Sequence, residues 1–417
     1  MVGDLIGNDL VGGSLAPSGS SSSSGDSQPE PGQSSTERSR TTRESGRHER
    51  RGIQFSEILH AVDDLDWDPN DDRTISVPDR DGVLIEVPDG AYQTGHNVFF
   101  GTENWGIVGL GDDVTLRPPP GKCLRALHVS SNDPGRNILV ENIEFAQRGG
   151  LQAGLGCSIT VHDGLEIHDC SRTGVTPNRI TAGPPLGQEP IGLTANVVDE
   201  DGSALIRNWT DYCETEVISY PGNAQGISVW DSSTGTVRIE NPSIRNQGEH
   251  AIYASKASAV EVVGGELIDN VNTNLRIAGE GSFAKDCRIG YQRDAEYTDH
   301  KRSKGRKATK IVRIEDARDG ASGGYLENCE VFCETDGLAA SMLAFVMGNT
   351  GGFEFRNTTF RNEGTGQWCV VQAIGDGWRE LDPPGGQWVR FDGCEFLGDA
   401  PGEHVVDDRG DGLVIVD

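Results

Sequence analysis

Short stretches that alternate apolar and polar residues recur along the chain, with Gly, Pro or Asp-Gly between them. Before residue 137 they read VLIEVPDG, HNVFFG, WGIVGLG and DVTLRPP. Alternation with a period of two, bounded by turn-forming residues, is typical of short β-strands. The pattern therefore predicts an all-β protein built from many short strands.

From residue 137 onward one phrase repeats: a strand, then Asn, Asp or Gly, then a small or apolar residue and a second strand. Its nine copies are ILVENIEF, LEIHDCSR, ALIRNWTD, VRIENPSI, VEVVGGEL, SFAKDCRI, GYLENCEV, FEFRNTTF and VRFDGCEF. Asn, Asp and Gly tolerate the left-handed backbone conformation better than other residues do. A single left-handed residue bends the chain sharply, so the repeat predicts nine corners, at Asn142, Asp169, Asn208, Asn241, Gly264, Asp286, Asn328, Asn357 and Gly393.

Nine coils with such corners predict a single-stranded right-handed parallel β-helix. The Asn-corner phrases resemble the pectate-lyase-like β-helix superfamily over roughly residues 80–417. The resemblance implies the fold, which hosts lyases, hydrolases, virion tailspikes and inert scaffolds. The segment IQFSEILHAVDDLD, residues 53–66, spaces its apolar residues as a helix does, and it predicts the N-terminal capping helix that this fold uses.

The rest of the chain is predicted to be organised around these coils. Residues 1–18, with VGDLIGNDLVGG, form an anchor motif, and residues 19–52 form a Ser/Gly/Pro-rich and then Arg-rich linker. The capping helix and first coils occupy 53–136, and the repeated coils occupy 137–417 with side-loop insertions at 146–160, 172–203 and 291–323. Since DGLVIVD ends on a strand, we expect an open final coil and a homo-oligomer.

The charge balance limits the partners of the protein. Its 36 Lys and Arg against 65 Asp and Glu give a net charge of −29, which repels nucleic acid and anionic lipid. An acidic surface with few lysines resembles that of proteins from extreme halophiles; an ordinary acidic bacterial protein is the alternative. The sequence contains no apolar run of about 18 residues, so no membrane insertion is expected.

Cysteines offer no metal site in the sequence. The nine cysteines include no CxxC pair and no zinc-type spacing with His. Four of them, Cys170, Cys287, Cys329 and Cys394, follow a corner residue in the repeat, at a position that also accepts Ile143, Trp209 and Thr358. A position that accepts Cys, Ile, Trp or Thr indicates buried packing, and we expect reduced, buried thiols.

The third strand of each coil carries the candidate ligand site. In GISVWDSS, HAIYASKAS and TNLRIAG, alternation places Ile227, Val229, Ile252, Ala254, Leu275 and Ile277 inside. The predicted ligand-binding residues then point outward on neighbouring coils: Trp230, Tyr253, Asn274 and Arg276. An exposed row of aromatic and Arg side chains suits a cell-surface glycan. Packing beneath a long loop is the alternative.

An enzymatic role is the alternative hypothesis. Asp231, His250, Asp269 and Arg276 are its catalytic candidates, for a polysaccharide lyase or glycoside hydrolase acting on an acidic polysaccharide. The resemblance implies an Asp cluster that holds Ca²⁺ beside an Arg base in lyases. This chain lacks that cluster at the equivalent positions, so no metal or other cofactor is expected outside the lyase alternative.

A basic segment interrupts the acidic chain between residues 301 and 313. Lys301, Arg302, Lys304, Arg306 and Lys307 lie there with no acid among them. A docking patch for an acidic partner or an anionic glycan is one interpretation, and a solvated charged loop is the other.

These features together favour a non-enzymatic spike, turret or fibre on the virion of a halophilic tailed virus. Residues 1–51 would anchor it to other virion chains, and the coils would face the host. No secretory signal is recognisable, so assembly in the host cytoplasm is expected, with export by a non-standard route as the alternative.

The corner interpretation makes a direct prediction at Asn328 and Cys329. Asn328→Val should destabilise the protein by about 1–2 kcal/mol, because a β-branched residue is strained in the left-handed conformation. Cys329→Val should fold with little loss of stability. Urea denaturation of both variants checks this; equal losses would mean that the corner is misassigned.

Overall fold

In the computed structural model, the described residues begin at Arg47. They comprise 47–417 except for 149–152, 177–190, 213, 216–224, 256, 258, 271, 278, 280, 293–309, 316–322, 335–341, 349, 365, 373–387 and 410–413. The chain divides into two units, Met1–Glu44 and Ser45–Asp417, and only the second contains described residues. The predicted anchor motif and most of the predicted linker therefore lie outside the described residues.

Three long sheets contain most of the described strands. Sheet 1 has 13 strands: Glu57–His60, Val83–Val87, Glu103–Gly109, Arg136–Glu141, Leu165–His168, Ser203–Arg207, Thr236–Glu240, Ala259–Val263, Phe283–Lys285, Gly324–Glu327, Phe353–Arg356, Val389–Asp392 and Val414–Val416. Sheet 2 has 11: Gly90–Gln93, Val114–Arg117, Glu144–Ala146, Ser171–Thr173, Thr210–Asp211, Ser243–Arg245, Glu266–Ile268, Arg288–Tyr291, Glu330–Cys333, Thr359–Asn362 and Glu395–Leu397. Sheet 3 has 11: Val98–Phe99, Cys123–Val129, Gly154–Val161, Leu193–Val197, Ile227–Ser228, His250–Ala254, Thr273–Ile277, Lys310–Ile314, Met342–Val346, Gln367–Val371 and Val405–Asp407.

Two smaller sheets complete the described strands. His48–Arg50 pairs with Ile53–Phe55 in an antiparallel hairpin, and Val175–Thr176 pairs with Glu214–Thr215 in parallel.

The chain visits sheets 1, 2 and 3 in turn, so each circuit forms one coil with a strand in every sheet. Successive coils pair in parallel, as Leu165 with Ala204 in sheet 1 and Ser171 with Thr210 in sheet 2. The described strands form eleven such coils. The fold is a parallel β-helix, which confirms the main prediction from the sequence repeat.

The nine corner residues all have the predicted left-handed backbone. Their φ angles range from 46° at Asn357 to 69° at Gly264, and all nine lie between a strand of sheet 1 and a strand of sheet 2. Several side chains hydrogen-bond along the stack, as Asn208 Nδ2 donates to Asp169 Oδ1 at 2.7 Å. A Cβ at Gly393 would lie 2.7 Å from Asn357 Oδ1, so a larger residue there would require the Asn357 side chain to shift.

The position after the corner is an interior packing site, as the sequence suggested. Ile143, Cys170, Trp209 and Cys329 are all at most 3% exposed and belong to the continuous core inside the coils. Burial raises the pKa of the Cys170 thiol to about 12, so this sulfur stays protonated and inert. The eight cysteines in the described part of the chain are all free thiols.

The predicted capping helix over residues 53–66 is wrong. Residues Ile53–Phe55 and Glu57–His60 are strands, and Glu57–His60 pairs in parallel with Val83–Val87 as the first strand of sheet 1. The helical spacing is coincidental, because Leu59 enters the core while Val62 remains 41% exposed. Pairing with a neighbouring strand outweighs the weak local preference for a helix.

An irregular segment of residues 61–77 contributes apolar side chains at the N-terminal end of the core instead. Trp67, Ile75 and Val77 are buried there, and the Trp67 ring lies 6.0 Å from the Tyr92 ring. The Val77 N–H donates to Asn97 Oδ1, which attaches this segment to the first coil.

The N-terminal hairpin packs on the outer face of sheet 1. Phe55 is 1% exposed and forms a separate apolar cluster with Leu84, Val108 and Leu139. A Cβ at Gly106 would lie 3.2 Å from the Phe55 ring, so the glycine leaves room for it. The turn of the hairpin is fixed by Arg50 and Arg51, which form ion pairs with Glu141 at 2.8 and 2.7 Å.

The predicted side-loop insertions are too long. Segment 146–160 contains most of Gly154–Val161, segment 172–203 contains Leu193–Val197, and segment 291–323 contains Lys310–Ile314. All three strands belong to sheet 3. No helix in the described part of the chain is long and apolar enough to cross a bilayer.

The hairpin makes a testable prediction. Phe55→Ala should weaken its attachment by about 3 kcal/mol, because a fully buried ring is removed from sheet 1. Faster amide exchange in residues 48–55 and earlier proteolysis near residue 50 would report this release. Val62→Ala, at an exposed neighbouring position, is the control; the same exchange pattern in both variants would contradict the assignment.

Candidate functional site

The candidate ligand row lies on the outer face of sheet 3. Ser228, Tyr253 and Arg276 occupy one register position on three successive coils. The six residues predicted to alternate with them, Ile227, Val229, Ile252, Ala254, Leu275 and Ile277, are all in the core, as expected. Side chains of the row therefore point away from the interior.

Trp230, Tyr253 and Arg276 form a continuous set of contacts. The ring centroids of Trp230 and Tyr253 are 5.2 Å apart and tilted by 48°, and the Arg276 guanidinium carbon lies 4.5 Å from the Tyr253 centroid. Trp230 is two residues beyond Ser228, so it reaches Tyr253 diagonally. We call these three side chains the ligand row.

Beyond Arg276 the row continues into an ion-pair cluster that the sequence did not reveal. Glu315 Oε2 lies 2.6 Å from Arg276 Nη2 and 2.6 Å from Arg313 Nε, so one carboxylate serves two guanidinium groups. Burial and the neighbouring Arg276 charge lower the pKa of Arg313 from its ordinary value. The cluster places two cations beside one anion.

The predicted exposure of this face is wrong. Tyr253 is 8% exposed, and Ser228 and Asn274 are fully buried, whereas Trp230 is only half-buried. The ligand row is thus recessed beneath the surface and most open at its Trp230 end. Recessed charges interact more strongly with a bound ligand than exposed charges do, because less water screens them.

Asn274 does not belong to the row. Its Oδ1 accepts hydrogen bonds from the backbone N–H and the side-chain amide of Asn270, and its Nδ2 donates to the Gly290 carbonyl. All its polar atoms are used to hold the turn between sheets 2 and 3.

The four candidate catalytic residues occupy different parts of the coils. Asp231 is exposed just after the strand Ile227–Ser228, whereas Asp269 has a φ of 62° in the turn that precedes Thr273–Ile277. His250 begins its strand, and its ring centroid lies 5.2 Å from that of Tyr253, so this candidate borders the ligand row. Asp231 and Asp269 therefore lie near opposite ends of the strands of sheet 3.

No metal centre emerges from the described residues. They contain no group of three or more His, Cys, Asp or Glu that could hold an ion. The basic residues Lys301, Arg302, Lys304, Arg306 and Lys307 lie outside the described residues, so their docking role stays a prediction.

A second polar cluster lies on the same face in earlier coils. The His96 and His128 rings are 5.4 Å apart, and Arg125 Nη1 is 3.3 Å from His128 Nε2. Burial, together with the Arg125 charge, lowers the pKa of His128 to about 4. Burial also lowers the pKa of His96, so both imidazoles are mainly neutral near pH 7.

Comparison with known proteins finds similar solved structures at low similarity. The sequence matches no family model and no curated protein. Similar solved structures include a double mutant of the periplasmic alginate epimerase AlgG, at TM-score 0.41 and 11% identity over 87% of this chain and 84% of that one. Others are the mannuronan C-5 epimerase AlgE4 A-module of Azotobacter vinelandii, at 0.38 and 9% over 78% and 90%, and the Dettilon tailspike protein, at 0.37 and 9% over 87% and 68%. Scores this low carry no argument about function.

The ion-pair cluster can be tested through Glu315. Glu315→Gln should destabilise the protein by about 3 kcal/mol, because two largely buried guanidinium groups lose their shared counter-charge. Asp231→Asn, at an exposed carboxylate, should leave the unfolding free energy unchanged. Urea denaturation compares the two; equal stabilities would show that Glu315 does not neutralise the pair.

Proposed function

We propose that this protein is a glycan-binding β-helix whose ligand row binds an extended sugar chain. The observation that supports the proposal most strongly is the unbroken contact series Trp230–Tyr253–Arg276 on one face of sheet 3. Aromatic rings pack against the C–H faces of sugars, and a guanidinium donates paired hydrogen bonds to a carboxylate or to neighbouring hydroxyls.

Arg276 has capacity for such a ligand. One of its Nη atoms bonds to Glu315, and 14% of the Arg276 side chain remains exposed beside Tyr253. A carboxylate or hydroxyl of a ligand at that exposed part of the guanidinium would form charge-assisted hydrogen bonds. The half-buried Trp230 provides the entry to the row.

The physiological setting that we propose is the surface of a virus particle, as a spike, turret or fibre of a halophilic tailed virus. The described chain begins in a hairpin on the outer face of sheet 1, a different face from the one that carries the ligand row. In this setting residues 1–51 would attach the protein to other virion chains, and sheet 3 would face the host. A net charge of −29 suits concentrated salt, which screens the self-repulsion of an acidic surface.

The binding proposal is tested with calorimetry against oligogalacturonate as the acidic probe and maltoheptaose as the neutral probe. Arg276→Gln and Tyr253→Leu should each weaken binding about tenfold, equivalent to about 1.4 kcal/mol. Glu261→Gln, on the outer face of sheet 1, is the control. If Tyr253→Leu lowers stability and neither probe binds the natural protein, the row is a packing surface.

The particle proposal needs an independent measurement. Immunogold labelling and mass spectrometry of purified virus particles should find the protein at the particle surface. A protein recovered only as a free monomer in the host cytoplasm, and absent from particles, would contradict this setting.

A further inference from the structure

Fully buried polar side chains connect the coils that carry the ligand row. Arg172 Nε donates to Asp211 Oδ2 at 2.9 Å, and both side chains are at most 1% exposed. Gln247 accepts from Arg172 Nη2 at 2.7 Å and donates to Asp211 Oδ1 at 2.8 Å. The three side chains close a hydrogen-bonded triangle inside the β-helix.

The network continues into the next coil. The Gln247 backbone N–H donates to Asn270 Oδ1 at 2.9 Å, and Asn270 Nδ2 donates to Asn274 Oδ1 at 2.7 Å. Gln247, Asn270 and Asn274 have no exposed surface. We call the connected set the polar spine: Arg172, Asp211, Gln247, Asn270 and Asn274.

The position of the polar spine matches that of the ligand row. Each coil of the row contains one residue of the spine and one of the row. Asp211 shares a coil with Trp230, Gln247 with Tyr253, and Asn274 with Arg276. At the register position of Arg172 and Asp211 in sheet 2, the adjoining coils carry the apolar residues Phe145 and Ile244. Polar residues therefore replace apolar ones at this position in two coils: that of Asp211, which carries Trp230, and the coil before it, which contains Arg172.

Direct contacts link the spine to the strands of the row. Arg172 Nη2 donates to the Gln225 carbonyl at 3.3 Å, and the Gln225 side chain accepts a hydrogen bond from Ser228 Oγ. Ser228 pairs in register with Tyr253. At the other end, Asn274 lies on the same strand as Arg276, two residues before it.

We propose that the polar spine positions the ligand row, with Arg172, Asp211 and Gln247 as positioning residues for glycan binding. Stability alone does not require them, because well-packed apolar side chains in place of a buried ion pair are often neutral or stabilising. A fully satisfied buried network instead fixes one arrangement of the strands that it joins. This inference rests on the proposed glycan site.

The test replaces both charges together, as Arg172→Met with Asp211→Leu in the full chain, so that no lone charge stays buried. Amide hydrogen exchange in residues 225–230, 250–254 and 273–277 should become about tenfold faster. Affinity for oligogalacturonate should fall about tenfold. The unfolding midpoint should fall slightly, because the buried Gln247 amide oxygen loses its Arg172 donor. Val331→Ala, at the same register position of sheet 2 in an apolar coil, is the control that should lower the midpoint without changing affinity.

Unchanged exchange and affinity in a folded double variant would overturn the inference. If that variant does not fold, Gln247→Met is tested in its place. This substitution keeps the Arg172–Asp211 ion pair and removes the side chain that joins the pair to the coil of Tyr253. Exchange and affinity then decide in the same way. If the natural protein binds no probe, the proposed function fails, and exchange alone still decides whether the spine orders the row.

Discussion

A left-handed residue at one corner of nine of the eleven described coils is the constraint on which this β-helix depends. These nine residues, from Asn142 to Gly393, turn the chain from sheet 1 into sheet 2 at the same place in each of their coils. Because these nine coils turn at the same point, the strands that follow start in register. Side chains that share a register position then stack along the described coils. Those that point inward form the core, and those that point outward form columns on the surface.

The outward columns bring charged and aromatic side chains into contact on the surface of the coils. On sheet 2 the side chains of Arg245, Glu266, Arg288, Glu330 and Arg361 alternate in sign on successive coils, with neighbouring charges 2.5 to 3.6 Å apart. Arginine is thus held in ion pairs on this face. On sheet 3 the same geometry brings Trp230, Tyr253 and Arg276 into contact, although 46 residues of sequence separate the first from the last.

The sequence predicted the features that each coil encodes for itself. The corners, the interior position after them and the inward residues of the third strands all follow from a repeat of Asn, Asp or Gly between alternating segments. The helix predicted for residues 53–66 was wrong because Phe55, Leu59 and Val62 match a helical spacing, while the backbone of this segment pairs with neighbouring strands. The ion pair between Glu315 and Arg276 could not be predicted, because a long stretch of residues separates them and sequence spacing does not reveal which strands become neighbours. The polar spine was hidden for the same reason, since Arg172 and Gln247 are 75 residues apart.

Binding of a sugar chain to sheet 3 along the ligand row would be seen in a crystal structure of the protein with oligogalacturonate. We expect a sugar ring against Trp230 or Tyr253, with an oxygen within hydrogen-bonding distance of the Arg276 guanidinium group. Sugar density on another face, or a ligand row unchanged and empty at saturating oligosaccharide, would contradict it.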